Sequence, residues 1–499
     1  MKENKLSKGN LWAFALGTVG RDMAAAGLFL NYLITYVMLT KQLSVQEFFV
    51  ISIVFVVARI IDAILDPIMG NILDATHTRF GKFKPWIVIG VLGTAVIVVI
   101  SFTNTLQGWP YIVAFGILYL LFNIFFTMND IAYWGMLPAL SSNADDRNAL
   151  TSLTSLMAGI GAFLTNTLVQ YFTVGDHALG GSTVSGYAWI AIIFTGLMLF
   201  TQGLTVFGVH EDPAVIAQQE NTPRVKVSFR AIMAVLKKND QVLWNALLLF
   251  IYMIVTTLST TVFNFYLIFS LGYSGSWNII FILLGQAAGV VVFTTFSSLS
   301  KRFSRMTLIR AATIMAVIGY ALLLAVGLLV PDNWGAGKAW LLSAANILPS
   351  VGNGIYYLIL IINIANAVEY NEYLTGQRNE GIIFSVRPFV TKLGMAAGQF
   401  LAIVIYAGVG IFAATQHIST LERDAQRGTL SAVAKKSAVE QVIHNVPLNR
   451  TELLLGLITL IPLIGIVLAY WVYRHKLTID ETSYANIVAT LKKRRGEAK

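Results

Sequence analysis

Twelve stretches of mainly apolar residues, each long enough to cross a bilayer, constrain this chain more than anything else in it. A membrane helix needs about 20 such residues. Six run at 11–39, 47–73, 84–102, 110–138, 150–173 and 187–208. Six more run at 242–270, 277–297, 306–330, 339–367, 382–412 and 451–473. The second and fourth exceed what a bilayer requires, so their helices should tilt or protrude. Composition agrees: 12% of residues are charged, about half the usual soluble share. A soluble enzyme, a disordered chain and a nucleic-acid binder are thereby excluded. The lipid bilayer is the chain's expected surrounding.

The polar segment at about 209–241 divides the stretches into two sets of six. The expected organisation is an N-terminal half at 1–209, a middle loop at 210–241, a C-terminal half at 242–473 and a tail at 474–499. A second polar segment, 413–450, reads as a loop with some helical pattern. With both termini on one side, 24 Lys and Arg gather on that side, against 7 opposite and 4 inside the stretches. Excess Lys and Arg mark cytoplasmic loops. Both termini should be cytoplasmic and the chain a multi-pass protein of a bacterial cell membrane. The same bias accounts for the net charge of +10. No small-residue cleavage site follows the first stretch, which reads as a retained helix rather than a signal peptide.

Ionisable residues inside apolar stretches are costly and default to functional hypotheses. Eight stand out: Arg21 and Asp22 in stretch 1; Arg59, Asp62 and Asp66 in stretch 2; Asp130 in stretch 4; Arg387 and Lys392 in stretch 11. Arg59, Asp62 and Asp66 are spaced i, i+3 and i+7, which puts them on one helix face. Two carboxylates one turn apart do not both stay ionised in low dielectric without a cation. A proton, a metal ion or Arg59 can supply it, and carboxylate oxygens suit hard cations. An exchangeable H⁺ or Na⁺ site is the functional expectation; a fixed ion-pair cluster would use the same residues. Asp22, followed by the small residues Ala24 to Gly27, can accept hydroxyl hydrogen bonds. Asp130 precedes Trp134 by one turn, pairing a hydroxyl acceptor with a ring-stacking indole. Arg387 and Lys392 can bind substrate or pair with an acid of the other half.

Several chemistries fall away. All six histidines, at 77, 177, 210, 417, 444 and 475, lie outside the stretches, which argues against an intramembrane histidine relay. There is no cysteine, so disulfide and thiolate chemistry are absent. There is no phosphate-binding loop, so ATP is not the expected drive. Neither a catalytic constellation for a membrane enzyme nor a sensing domain for a receptor is visible, and no cofactor is expected. An ion gradient remains.

The motifs carry a resemblance. Arg59-Ile60-Ile61-Asp62-Ala63-Ile64-Leu65-Asp66-Pro67, running on to Gly81-Lys82-Phe83-Lys84-Pro85-Trp86, is followed six stretches later by a matching basic turn, Lys301-Arg302-Phe303-Ser304-Arg305. Gly20-Arg21-Asp22, Met128-Asn129-Asp130-Ile131-Ala132-Tyr133-Trp134 and Ala367-Val368-Glu369-Tyr370-Asn371-Glu372-Tyr373 complete the set. In order, these resemble the glycoside–pentoside–hexuronide:cation symporter family, melibiose-carrier-like transporters of the major facilitator superfamily. The resemblance implies an all-α membrane protein with twelve transmembrane helices in two six-helix halves, substrate bound near the midplane. It implies cation ligands at Asp62, Asp66 and Thr127. It implies sugar contacts at Arg21, Asp22, Asp130, Trp134 and Lys392.

Three departures modify this. Leu65 replaces an asparagine ligand of the family's Na⁺-using member, which favours H⁺ over Na⁺. Ser155 replaces a sugar-binding arginine, while Arg387 adds a guanidinium on stretch 11. Tyr357 stands where a pocket tryptophan is expected. The expected function is cation-coupled uptake of a small glycoside, of pentoside or xyloside type, by alternating access. A hexuronide or glucuronide carrier and a lipid-type transporter of the same fold are the alternatives. The chain ends about 25 residues after the last stretch, which implies no phosphotransferase-like domain in cis. The sequence assigns no oligomeric state.

Overall fold

The computed structural model describes residues 6–76, 78–141, 143–210, 229–377 and 379–494. Most of the expected middle loop, and His77, lie outside them. Among the described residues there is no strand, and twelve helices are long and apolar enough to cross a membrane. They are α1 Lys8–Thr40, α2 Val45–Leu73, α3 Lys84–Thr103, α4 Gly108–Ala139, α5 Asp146–Thr173 and α6 Thr183–Gly208. Then come α7 Asp240–Leu271, α8 Gly275–Arg302, α9 Arg305–Leu329, α10 Ala336–Thr375, α11 Glu380–Val409 and α12 Leu448–Lys476. The helices outrun the apolar stretches at several ends because hydropathy registers only the greasy middle. Polar caps begin them. Ser44 and Glu47 form a reciprocal capping box at α2, Ser182 and Ser185 do so at α6, and Ser304 accepts from the Thr307 amide at α9. Such caps satisfy amides that a helix start leaves without intrahelical partners.

Two features differ from a plain reading of the apolar pattern. Within α1, residues Asp22–Asn31 form a π-helix. The polar segment 413–450 is mostly helical, with helices Phe412–Gln426 and Ala432–His444.

The chain separates into two compact units. The first comprises Met1–Arg224 with Tyr273–Ile279 and Ile411–Asn445; the second comprises Val225–Gly272, Ile280–Gly410 and Val446–Lys499. In the first, α1 packs on α5 and α6, and α3 packs on α4 and α6. In the second, α7 packs on α11 and α12, and α9 packs on α10 and α12. Adding six to each number turns one pattern into the other. The weak repeat in the sequence thus has a counterpart in packing.

The turn after α2 shows why that motif is so particular. Thr78 Oγ1 donates to Gly81 O (2.7 Å), and Trp86 Nε1 donates to Thr76 Oγ1 (2.9 Å). Leu73, Phe83 and Ile87 then bury together with Phe14, Tyr133 and Met136. The motif therefore fastens α2 and α3 to α1 and α4.

Gly20 sets the closest approach of α1 to α6. A Cβ there would lie 2.6 Å from Leu197 C, Leu197 O and Met198 Cα, all backbone atoms that cannot swing away. Gly196, also on α6, has open space around its Cβ position. Overpacking of this kind typically costs about 1–3 kcal/mol. Gly20→Ala is expected to lose stability of that order and so to melt below the parent in detergent, while Gly196→Ala melts level with it or higher. Equal melting of the two variants would contradict this packing.

Candidate functional site

The intramembrane charges assemble into clusters within each unit. In the first unit, Arg21 is buried, with 3% of its surface exposed. Its Nε and Nη2 reach Asp22 Oδ1 at 2.9 and 2.8 Å, and its Nη1 donates to Asp130 Oδ1 at 2.9 Å. Thr18 Oγ1 donates to the other Asp22 oxygen at 2.9 Å. The guanidinium also lies over the Tyr133 ring, 4.7 Å from its centroid, and 5.6 Å from that of Trp134. One cation thus binds two carboxylates and faces two aromatic rings. The exposure gradient is informative: Arg21 is inside, whereas the Asp130 side chain is 42% exposed and Trp134 is 37% exposed. A buried cation therefore holds an accessible carboxylate beside an accessible indole.

The second cluster lies on α2 and α4. Arg59 and Asp62 are both buried, with Nη1 and Oδ2 3.5 Å apart. Thr127 Oγ1 donates to Asp62 Oδ1 at 3.0 Å. Asp66, one turn further along α2, is half-buried. Asn123 Nδ2 donates to Ala58 O (3.3 Å), tying α4 to α2 beside these groups. No group of three or more His, Cys, Asp or Glu placed to hold a metal ion occurs among the described residues.

In the second unit, Arg387 on α11 donates from Nη2 to the Tyr357 hydroxyl on α10 at 2.6 Å. Its guanidinium also sits 5.7 Å from that ring's centroid. Tyr357 stacks against Tyr252 of α7, 5.9 Å between centroids. Lys392 lies on the same helix as Arg387 and is half-buried. Ser155, the position of one departure, is exposed on α5.

The structure thus joins Arg21, Asp22, Asp130 and Trp134 in one group. It joins Arg59, Asp62 and Thr127 in another, and Arg387 with Tyr357 in a third. Three contributors escaped the sequence. Asn129 Nδ2 donates to Ile87 O (3.2 Å) and to Gln202 Oε1 (3.0 Å), and Gln202 Nε2 donates to Gly17 O (2.7 Å). This buried chain ties α1, α3, α4 and α6 together one residue from Asp130. Tyr133 donates its hydroxyl to Phe14 O and stacks on the Phe14 ring. The π-helix begins at Asp22 itself, and such segments are frequent at functional sites. An uncharged amide inside an apolar run was the available signal for Gln202. Nothing in the residue pattern marks the π-helix.

Arg21→Met would leave the mostly buried Asp22, its side chain 16% exposed, without its cation. Removing one partner of a buried ion pair costs about 3–5 kcal/mol. The variant is expected to melt well below the parent, and Arg21→Met with Asp22→Asn is expected to recover part of the loss. Additive effects of the two substitutions would contradict the pairing.

The family described as MFS/sugar transport protein matches residues 13–478 of this chain. The chain is 26% identical over 498 residues to the lactose permease of Lactobacillus helveticus, covering 96% of this chain and 71% of that protein. It is 26% identical over 378 residues to the isoprimeverose transporter of Lactiplantibacillus pentosus, covering 73% of each. The crystal structure of a D-xylose-proton symporter superposes with a TM-score of 0.56 at 15% identity, covering 87% of this chain and 98% of that one. At that identity the likeness is one of fold.

Proposed function

From the premise that this chain belongs to the MFS/sugar transport protein family, we propose that it carries a small glycoside across the cell membrane together with a cation. The observation that carries the reading is the group at Arg21: a buried guanidinium holding the accessible Asp130 carboxylate next to the accessible Trp134 indole. Carboxylates accept sugar hydroxyls strongly because the acceptor is charged. An indole face covers the apolar face of a pyranose ring. Arg21 orients Asp22 and Asp130, so little ordering remains to be done when sugar arrives. Lys392, Arg387 and Tyr357 are proposed as further sugar contacts. The relatives support a glycoside cargo, one being a lactose permease and another an isoprimeverose transporter.

The cation site is proposed at Asp62, Asp66 and Thr127. Its geometry favours H⁺ over Na⁺. Leu65 contributes no oxygen ligand beside Asp66, and a Na⁺ shell needs several oxygens. A proton adds to one carboxylate oxygen without a full coordination shell. Coupling follows from α4. Thr127, which donates to Asp62, and Asp130, which accepts from Arg21, are three residues apart and so almost one turn apart on the same helix. Whatever repositions Thr127 repositions Asp130. A ligand shifts a conformational equilibrium only through its differential affinity for the two states. Here both ligands bear on one rigid element. The positive-inside bias supports cytoplasmic termini.

A second reading concerns the cargo's charge. Among the described residues Arg387 pairs with the Tyr357 hydroxyl and with no carboxylate. A uronate could supply that carboxylate, making the cargo a hexuronide. Competition of lactose uptake by a glucuronide, lost in Arg387→Gln, would identify it; competition by neutral glycosides alone would exclude it.

The experiment is uptake into proteoliposomes with labelled lactose and labelled isoprimeverose, under imposed proton or sodium gradients. The parent is expected to accumulate at least one of them against its gradient. Asp62→Asn is expected to lose uphill accumulation while retaining sugar exchange; intact accumulation would refute the cation assignment. Asp130→Ala is expected to keep its fold and to lose about 1.5–3 kcal/mol of sugar binding, roughly 10- to 100-fold in Kd. Unchanged sugar affinity would refute the role of Asp130.

A further inference from the structure

Two pieces of chain leave the second unit and bury themselves in the first. They are Tyr273–Ile279, the α7–α8 junction with the first residues of α8, and the long excursion Ile411–Asn445. Both lie on the face away from the termini, since an odd number of membrane helices precedes each. The helix Phe412–Gln426 buries Phe412, Thr415, Ile418, Ser419 and Glu422 there. Phe412 packs against Phe48 of α2, 5.0 Å between ring centroids. The Leu43 amide donates to Gln416 Oε1 at 2.8 Å, and Gln42 Nε2 donates to Thr420 Oγ1 at 2.9 Å.

A charged knot fixes both pieces to the start of α6. Glu422 is fully buried, and its Oε2 accepts from the Thr183 amide at 2.6 Å. That amide opens α6, where a negative charge is favoured by the helix dipole. Lys435, also buried, donates to the same Glu422 oxygen at 3.3 Å and to Gly181 O at 2.9 Å. The Thr183 hydroxyl bonds the Tyr273 hydroxyl of the shorter piece at 2.8 Å. Burial, and then the Glu422 charge, hold that phenol well above its usual range, so it stays protonated. Glu422 and Lys435 both belong to the excursion, so lifting it away would keep that pair and break its bonds to the Thr183 amide and to Gly181 O, buried charge-assisted hydrogen bonds that hold the excursion in place.

The places where the chain leaves the second unit have a common form. Gly272 ends α7 with φ +96°, and Gly410 ends α11 with φ +77°. Only glycine takes such conformations without strain, and it keeps unusual freedom to change them. The return into α12 runs through Asn445, Val446 and Pro447, a non-helical junction.

We propose that 411–445 is a clasp that stays seated on the first unit throughout the transport cycle, hinged at Gly410 and at the junction 445–447. It is therefore not a gate that opens by releasing. This rests on the transporter reading above and adds to it the part of the chain that absorbs the movement.

The chain has no cysteine, so introduced pairs report cleanly. Gln42→Cys with Thr420→Cys, joined by a short reductant-cleavable bis-thiosulfonate in proteoliposomes, tethers the clasp to its seat. The expected result is efficient tethering and the same initial rate of lactose uptake before and after reduction. Failure to tether, or uptake that is abolished by the tether and restored by reductant, would overturn the proposal. A second arm needs no sugar. Spin labels at Val433→Cys and Trp109→Cys, both exposed and both in the first unit, should give one distance distribution at every pH and sodium concentration. A second population would overturn the clasp. If the parent takes up no lactose, the cargo reading suffers alone and the spin labels still decide.

Discussion

The cost of placing charge in a low-dielectric interior governs this molecule. An ion at the bilayer centre costs at least about 2.5–3.5 kcal/mol on insertion scales. The chain meets that cost by pairing. Arg21 is shared by Asp22 and Asp130, and Arg59 leans on Asp62, which also accepts from Thr127. Glu422 is held by Lys435 and by the first amide of α6. Each arrangement decides which helices sit together and at what rotation. Arg21 fixes α1 against α4; Asp62 fixes α2 against α4. Helix α4 is thus the element that both clusters address, and the Asn129–Gln202 chain anchors it to α3, α6 and α1. A transporter that couples two ligands needs such a shared, well-anchored element, because coupling is a free energy between sites.

Much of this was legible in the sequence, and the reason differs from residue to residue. Twelve spans follow from hydropathy because lipid leaves a backbone few options besides the helix. The meeting of Arg59 and Asp62 follows from i, i+3 spacing alone. The grouping of Arg21 and Asp22 with Asp130, over a hundred residues away, follows instead from motifs recurring in a known order. Arg387 and Tyr357 were each singled out, but nothing in the sequence pairs them; α10 and α11 had to be placed first. The π-helix at Asp22–Asn31 stayed hidden because its residues suit an α-helix equally well. The segment 413–450 showed some helical pattern in the sequence, but its seat on the first unit stayed hidden because its helices are polar and hydropathy treats such chain as loop. Its anchor, Glu422, looks like any loop carboxylate until Thr183 and Lys435 arrive from elsewhere.

Family membership sets the architecture, and the local chemistry sets the particulars. Leu65 beside Asp66 leaves the proposed α2 cation site one oxygen poorer than a sodium site wants. Arg387 gives the second unit a guanidinium whose partner is a phenol. In the proposed reading these positions tune ion and cargo while the fold stays the same, as expected where function resides in sites carried by a common scaffold.

The central claim is that cation and sugar act on one another through α4. Calorimetric titration of the purified protein with lactose or isoprimeverose, repeated across pH and with or without sodium, measures that coupling directly. Thermodynamic linkage requires the effect to be reciprocal. Sugar Kd is expected to fall as pH is lowered, to respond little to sodium, and to become independent of both in Asp62→Asn. A sugar Kd in the parent that is the same at every pH and sodium concentration would contradict it.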